Sequence, residues 1–338
     1  MPGGQPLELG TADPAVTILR RRLVLQGYLE RSHQFGAVFD EPLDAAIRNF
    51  QMHHGLVVDG KVGRRTLEAL NVPVRDRIRQ IILNMERWRW LPDDLGQTHI
   101  RVNIAGFYLR LYEETQLVME MPVIVGKPYR KTPVFSSVIT DLTFHPYWHV
   151  PVKIAYLNII PEIVKDTGYL QREEFEVLQS GPDGRQKVVE RPEALPWKSF
   201  LQGDFNYKLR QKPGRTNALG HLRFNIRNDF GIYMHGTPNQ ELFADVTRAA
   251  SSGCIRVEDP LKLAKYILKG NPAWPESRID EVYSQFETIN NPKPVMVALV
   301  EPVPVHILYW TVWGEGDDHL YFRNDIYGRD KILAQSLF

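Results

Sequence analysis

The sequence predicts a multi-domain protein in which a small all-α domain precedes a mostly-β domain that carries an inserted subdomain. Apolar residues recur at helical spacing in the first part of the chain, and from residue 98 onward they alternate with polar residues in short runs. The alternation lapses between about 152 and 207, which indicates an insertion. With 338 residues, 43% of them hydrophobic and 24% charged, the chain can bury substantial cores without disulfides.

The predicted all-α domain occupies residues 1–73. Leu19 and Leu23 recur at helical spacing in a first helix. A second helix begins at Pro42, since proline is favoured in the first helical turn, and a third is expected over 64–70. This is a compact unit of about 60 residues, close to the lower limit for a domain that folds by itself.

Residues 74–97 read as a connector helix, with the helical pattern running from Val74 to Trp90 and stopped by Pro92, and residues 98–338 as the mostly-β domain. The connector carries one apolar stripe, formed by Ile78, Ile81, Ile82, Met85 and Trp88. Alternating segments in the second domain predict strands at 107–112, 116–125, 136–144, 219–225, 231–235, 295–299 and 305–312. Helices are expected at 260–268 and 277–286. The insertion at about 152–207 is polar and could serve as a mobile flap.

Charge and hydropathy exclude some function classes. The formal net charge is +1, which gives no field that would indicate a nucleic-acid partner. No window approaches the roughly 18 apolar residues that a membrane helix requires. The N-terminal residues lack the basic and apolar regions of a signal peptide, so the chain is expected to be either cytosolic or a fragment without its export signal.

Cys254 is the only cysteine, so no internal disulfide can form. A lone cysteine is most often a small buried hydrophobe, but this one lies in the run SSGCIRV over 251–257. The small residues before it permit a turn whose N–H groups can face an oxyanion. Ile255 and Val257 then alternate as in a strand, which places Arg256 on the same face as Cys254.

A nucleophilic cysteine needs a base, usually histidine, because the thiolate is the reactive form. His235 precedes Cys254 by 19 residues and follows a predicted strand. A structural reading of each candidate stays open at this point. His235 could be a core histidine, Arg256 fits a structural ion pair as well as a substrate contact, and Tyr233 fits a core position as well as a groove. No second cysteine or acidic cluster completes a metal site.

The His-Gly pair at 235–236, followed by Ser-x-Gly-Cys-Ile-Arg-Val, is similar to the motif of YkuD-type L,D-transpeptidases. Other runs resemble the larger YcbB-like branch, in which a capping subdomain interrupts the catalytic fold. These runs are ERWRW at 86–90, GKP at 126–128, PYWHVP at 146–151, RQKPG at 210–214 and NALG at 217–220. Phe50-Gln51 and the DGKVGRRTL run at 59–67 resemble a helical peptidoglycan-binding domain.

The resemblance implies roles for the residues at matching positions. Cys254 would be the nucleophile and His235 its base. The Gly236 carbonyl would orient the imidazole, and the N–H groups of Gly253 and Cys254 would form the oxyanion hole. Ser252 stands where many family members have a histidine, so it cannot act as a second base.

Three further residues would belong to the substrate site by the same resemblance. Tyr233 would lie near the nucleophile, Arg256 would hold the loop or face a substrate carboxylate, and Ser252 would lie beside the nucleophile. Trp148 is the candidate for the border of the substrate groove.

The implied reaction is acyl transfer without metal or organic cofactor. A tetrapeptide stem would be the donor, a diaminopimelate amine the acceptor, and a 3→3 crosslink the product. Carbapenems are the implied inhibitors, other cell-wall synthesis proteins are candidate partners, and the location would be periplasmic or facing the cell wall. With water or a protein amine as acceptor, the same site would make a carboxypeptidase, an amidase or a lipoprotein ligase. A catalytically silent peptidoglycan-binding protein is the alternative from another class.

Overall fold

The computed structural model describes residues 6–316 and 319–338, so the first five residues of the predicted 1–73 domain lie outside the described residues. The order of elements confirms the predicted fold class, a helical N-terminal domain followed by a mostly-β domain with an inserted subdomain. No helix in the described part of the chain combines the length and apolar character needed to cross a bilayer.

The N-terminal domain and connector contain four helices: α1 Pro14–Leu25, α2 Glu41–His53, α3 Arg64–Leu70 and α4 Val74–Trp88. Asp13 caps α1 by accepting from the Ala15 N–H at 2.7 Å. The apolar faces of the first three helices form one core whose central members are fully buried. Buried Gln51 then fixes the loop before α3, donating to the Asp59 side chain and the Lys61 carbonyl and accepting from the Gly60 N–H.

Helix α4 ends at Trp88, close to the predicted end at Trp90, and an irregular segment with Pro92 completes the 74–97 connector. Most of the predicted apolar stripe is exposed, including Ile78, Ile82 and Met85. The helix instead buries a polar face. Asn84 bonds to Thr311, and Arg87 pairs with Asp330 at 2.6 Å. Those hydrogen bonds compensate for burying polar groups, and Leu83 is buried on the same helix.

The mostly-β domain is built on a closed ring of eight strands, with a ninth added at one edge. The strands that form it are β1 Thr98–Asn103, β2 Tyr108–Glu113, β3 Gln116–Gly126, β4 Phe135–Phe144, β9 Leu222–Ile226, β10 Tyr233–His235, β11 Ala249–Ser251, β12 Ile255–Val257 and β13 Val295–Leu308. Around the ring the order is β1-β2-β3-β12-β10-β9-β4-β13, and β13 closes on β1. Strand β11 pairs with the end of β3.

The ring encloses the main hydrophobic core, to which every one of its strands contributes buried side chains. Helices α9 Pro260–Ile267 and α10 Glu276–Thr288 pack on this core. The chain ends with the hairpin β14 Val312–Gly314 and β15 Leu320–Phe322, followed by α11 Arg329–Leu337. The hairpin holds the helical domain in place, since the Arg323 guanidinium beside it donates to the His53 carbonyl at 3.0 Å.

The insertion, called the cap below, forms a small α/β unit between β4 and β9. Its elements are β5 Trp148–His149, α5 Val152–Ile154, a π-helical turn Ala155–Ile159, α6 Ile160–Lys165, α7 Tyr169–Arg172, β6 Phe175–Ser180, β7 Gln186–Val188, α8 Trp197–Phe200 and β8 Lys208–Gln211. A four-stranded sheet of order β5-β8-β6-β7 and a separate apolar core hold it together. Because β5 and β8 belong to this sheet, the cap extends past both ends of the predicted 152–207 segment.

The insertion point leaves the ring intact, because β4 and β9 are hydrogen-bonded neighbours. The root of the cap is fixed by Asn217, which is fully buried and donates to the carbonyls of Pro146 and Lys212 at 3.0 and 2.8 Å. Gln211 adds bonds to the Glu173 and Thr216 carbonyls. The cap is thereby anchored next to the strands that carry the candidate site.

Candidate active site

Cys254 lies in a tight turn immediately before β12. Gly253 has a φ of +124°, in the region that favours glycine, and so permits the reversal. The Ser251 hydroxyl fixes the turn, since it accepts from the Gly253 N–H at 3.1 Å and donates to the Cys254 carbonyl at 2.6 Å. The position of the thiol is thus set by local backbone geometry.

The loop over residues 126–132 packs against the turn that carries Cys254. Thr132 is fully buried, and its hydroxyl donates to the Gly253 carbonyl at 2.7 Å and accepts from the Gly126 N–H at 2.9 Å. Gly126 has no room for a side chain, because a Cβ there would fall 2.1 Å from the Arg130 carbonyl. The loop between Gly126 and Thr132 therefore folds tightly against the nucleophile turn.

The strand register brings the predicted catalytic side chains to one face of the sheet. Strands β10 and β12 are parallel, with His235 opposite Arg256, so Tyr233 lies level with Cys254. Side chains alternate along a strand, so these four residues share one face. Met234 lies between Tyr233 and His235 and is fully buried in the core, which confirms that the four point to the other side.

His235 is held as a neutral base. Burial lowers the pKa of His235 to about 3, and the positive charge of Arg256 acts in the same direction. The Nδ1 atom lies 2.5 Å from the Gly236 carbonyl oxygen. A carbonyl only accepts, so Nδ1 carries the proton and Nε2 of the neutral ring is left as the basic nitrogen.

Cys254 is held mainly as a thiol in the free protein. Burial raises the pKa of its Sγ above the ordinary value, while hydrogen bonds from the Tyr233 backbone and hydroxyl and the charges of Arg256 and Arg223 act against that rise. The sequence predicted that His235 keeps Cys254 as thiolate. The pKa shifts of the two residues instead favour a neutral thiol and a neutral imidazole.

Tyr233 links the nucleophile to the cap. Its hydroxyl interacts by hydrogen bonding with the side chains of Cys254 and Trp148, and burial raises its pKa, so it stays protonated near neutrality. Trp148 belongs to β5, and its indole can only donate. The Tyr233 hydroxyl can therefore accept from Trp148 while it donates to sulfur.

The four side chains open into a cavity of about 750 Å³ between the ring and the cap. Seven of the eight predicted site residues line it: Trp148, Tyr233, His235, Ser252, Gly253, Cys254 and Arg256. Gly236 lies behind the imidazole and reaches the site through its carbonyl. The cavity falls in the size range of small-ligand sites and is large enough for a short peptide segment.

The structure differs from the predicted oxyanion hole at one of its two N–H groups. Two N–H groups were expected to face the cavity, those of Gly253 and Cys254. The Gly253 N–H is taken by the Ser251 hydroxyl in this state. It must exchange that partner before it can serve a tetrahedral intermediate, because one N–H forms one strong hydrogen bond.

Sequence reasoning missed the group that joins the cap to the nucleophile turn. The Arg130 guanidinium donates to the Ser252 hydroxyl at 2.6 Å and to the Asn158 amide oxygen at 3.2 Å. Asn158 lies in the π-helical turn of the cap. One feature of the sequence could have indicated Arg130. It belongs to a cluster of basic residues, with Lys127 and Lys131, in a chain of nearly zero net charge.

A metal role finds no donor set here. In residues 6–316 and 319–338, no three histidine, cysteine, aspartate or glutamate side chains come together in a way that could hold an ion. The chemistry available to the site is that of a thiol, an imidazole, a phenol and several cations.

Two family models match the chain. The L,D-transpeptidase catalytic domain matches residues 97–274, and the model described as "Putative peptidoglycan binding domain" matches residues 12–70. A Haemophilus influenzae protein named "Putative L,D-transpeptidase" is 33% identical over 254 residues, which are 75% of this chain and 48% of that protein. The chain therefore spans about half the length of the curated relative it matches.

Two solved structures are among those to which this chain is similar. The L,D-transpeptidase of Xylanimonas cellulosilytica is 14% identical, with 91% of this chain and 99% of that chain covered and a TM-score of 0.25. The catalytic domain of the E. faecium L,D-transpeptidase, acylated by ertapenem, is also 14% identical, with 60% and 97% covered and a TM-score of 0.24. On the match of the catalytic-domain model to more than half of its residues, the chain belongs to the L,D-transpeptidase catalytic domain family.

Proposed function

We propose that this protein forms 3→3 crosslinks between peptidoglycan stems through a thioester on Cys254. The observation that supports it best is the placement of Cys254 and the neutral His235 on one face of the cavity, with Nδ1 of the imidazole engaged by Gly236. That arrangement supplies a nucleophile and, in Nε2 of the neutral imidazole, a base that can take its proton.

In the first step, Sγ of Cys254 bonds to the carbonyl carbon that links the third residue of a tetrapeptide stem to its terminal D-Ala. The thiol proton passes to Nε2 of His235 and then to the leaving amine, so that the C–N bond breaks and D-Ala departs. The Cys254 N–H is the donor proposed for the developing oxyanion, since the Gly253 N–H is engaged by the Ser251 hydroxyl.

In the second step, the side-chain amine of diaminopimelate in another stem attacks the thioester carbonyl. His235 takes the amine proton and returns it to sulfur as the C–S bond breaks. The products are an amide crosslink and the free thiol, so atoms and charges balance without a cofactor.

The domain composition supports a cell-wall setting. We propose that the helical domain holds the enzyme on peptidoglycan, and that it acts on the periplasmic or wall-facing side. Ertapenem acylation of the E. faecium relative supports carbapenems as inhibitors of this chain also.

Intact-protein mass spectrometry tests the nucleophile. Incubation with a tetrapeptide stem should release D-Ala and add the tripeptide mass to the wild-type protein, and a carbapenem should add its full mass. Cys254→Ala should abolish both adducts. An adduct of unchanged yield on Cys254→Ala would refute the nucleophile assignment.

Product analysis tests the acceptor. After reaction with intact peptidoglycan and digestion with a muramidase, dimers joined through two third-position residues should be present. Trimmed tripeptides without such dimers would mean that water collects the acyl group, and the enzyme would then be a carboxypeptidase.

A further inference from the structure

The charged side chains around the cavity are all of one sign. Five basic residues line it: Lys127, Arg130, Lys131, Lys153 and Arg256. Within the described part of the chain, no aspartate or glutamate is among the lining residues. The formal net charge of the whole chain is only +1, with 41 basic and 40 acidic residues, so this concentration is a feature of the site and not of the composition.

The contacts described for these cations are with neutral groups. Lys131 donates to the Tyr327 carbonyl at 2.7 Å, and the Lys127 ammonium lies 6.0 Å from the centroid of the Tyr129 ring. Arg256 is partly buried with no hydrogen-bond partner for its Nε atom among the described residues. Glu241 partly offsets the charge of Arg256. A pocket whose described lining holds cations and no carboxylate attracts anions, and its low-dielectric walls strengthen that attraction.

Arg130 is the lining residue best placed to bind a substrate anion. Its guanidinium bonds to two neutral oxygens, one on the nucleophile turn at Ser252 and one on the cap at Asn158. A carboxylate is a stronger acceptor than an amide or a hydroxyl for a guanidinium, and it can bind two N–H groups at once. A substrate carboxylate can therefore replace Asn158 as partner of Arg130.

Peptide stems differ in the number of anions they bring. An unmodified tetrapeptide stem carries carboxylates on its glutamyl residue, on its third-position diamino acid and at its terminal D-Ala. Amidation converts the first two to neutral carboxamides, which keep the shape of the stem and remove its charge.

We propose that this cavity selects its stems by charge, accepting those with free side carboxylates and discriminating against amidated ones, with Arg130 and Lys153 as the specificity-determining residues. The proposal rests on the proposed function, since it concerns the donor stem of the same reaction. Lys153 lies on the cap side of the cavity and Arg130 on the ring side, so a bound stem is flanked by positive charge on both.

The test compares two synthetic tetrapeptides that differ only in amidation of the two side carboxylates. The rate of Cys254 acylation with D-Ala release is followed by mass spectrometry at low and high salt. We expect the free-acid stem to react about tenfold faster at low ionic strength, and the gap to shrink at high salt as screening removes the attraction.

Variants identify the residues. Arg130→Gln and Lys153→Gln should each lower kcat/KM for the free-acid stem through KM, and by a larger factor than for the amidated stem. Lys187→Gln is the matched control, because Lys187 is an exposed lysine of β7 in the cap that does not line the cavity, and it should retain wild-type discrimination.

Equal acylation of the two stems by the wild-type protein would overturn the charge selection and leave the proposed function standing. The charge selection would also be overturned, and the proposed function would still stand, if Arg130→Gln and Lys153→Gln lowered the rate of Cys254 acylation by the same factor for both stems. If neither stem acylates Cys254, the proposed function and the selection both fall.

Discussion

At the scale of single residues, the site pairs two groups whose pKa values are displaced in opposite directions. Burial lowers the pKa of His235 and raises that of Cys254. Both shifts favour the neutral forms, because a low-dielectric site disfavours either charge. Under the proposed function, the thiol proton would move to His235 during attack, in contrast to a preformed thiolate–imidazolium pair.

This neutral pair predicts an unusual pH profile. The base form of His235 is required, and with its pKa near 3 it remains unprotonated well below neutrality. Acylation of Cys254 by a carbapenem should therefore change little between pH 7.5 and pH 5. A histidine of ordinary pKa would lose roughly 30-fold in its base form by pH 5.

Stopped-flow acylation rates over that pH range make the measurement, with near-UV circular dichroism as the control for folding. An acidic limb centred near pH 6.5, in protein that remains folded, would show that His235 titrates normally and that the neutral pair is wrong.

At the scale of elements, α4 packs by its polar face. Asn84 is buried, and it accepts from the Thr311 N–H at 2.9 Å and donates to the Thr311 hydroxyl at 2.9 Å. Arg87 continues the same face toward Asp330. The hydrogen bonds of this face, more than apolar burial, fix the connector on the catalytic domain.

We expect opposite sensitivities for the two faces of α4. Asn84→Ala should lower the free energy of unfolding by about 2–3 kcal/mol, since it leaves the buried Thr311 N–H without its partner. Ile82→Ala, on the exposed stripe, should cost under about 1 kcal/mol. Urea denaturation of both variants gives the comparison. A larger loss for Ile82→Ala than for Asn84→Ala would contradict the packing of this helix.

At the scale of the whole molecule, stability depends on histidines that fold in the neutral form. Burial lowers the pKa of His54 and His235 to about 3 and that of His221 to about 4. His54 lies in the helical domain, His221 at the root of the cap and His235 in the candidate site. Acid should therefore affect all parts of the protein together.

The expected direction follows from proton linkage. Above pH 6.5 these histidines are neutral in both the folded and the unfolded chain. As the pH falls below 6.5, the unfolded chain takes up protons that the folded chain refuses until about pH 3–4, so stability declines through that window.

Urea midpoints measured from pH 7.5 to pH 5 should therefore decrease steadily, and His221→Gln should flatten part of the decrease. Midpoints that stay constant over this range would show that these histidines are not held neutral by the fold.

The sequence was a good guide where a pattern is local. Helical spacing indicated α1 and α2, and alternation indicated most strands of the ring, because both patterns report which side of a single element is buried. The alternation after Cys254 also placed Arg256 beside it on one face, as the structure shows. Together with the motif resemblance, this alternation predicted seven of the residues that line the cavity, but not Arg130.

Tertiary structure decided what depends on contacts between distant segments. The contact of Arg130 with both Asn158 and Ser252 requires the cap to fold back over the ring, and no local pattern encodes that distance. The exposed stripe of α4 is another such case, since local periodicity would bury it and the structure buries Asn84 against Thr311 instead. The sequence determined the fold class, and it predicted a nucleophile and its base in Cys254 and His235. The tertiary structure decided their protonation and the positive charge that surrounds them, because burial and cavity lining exist only after folding.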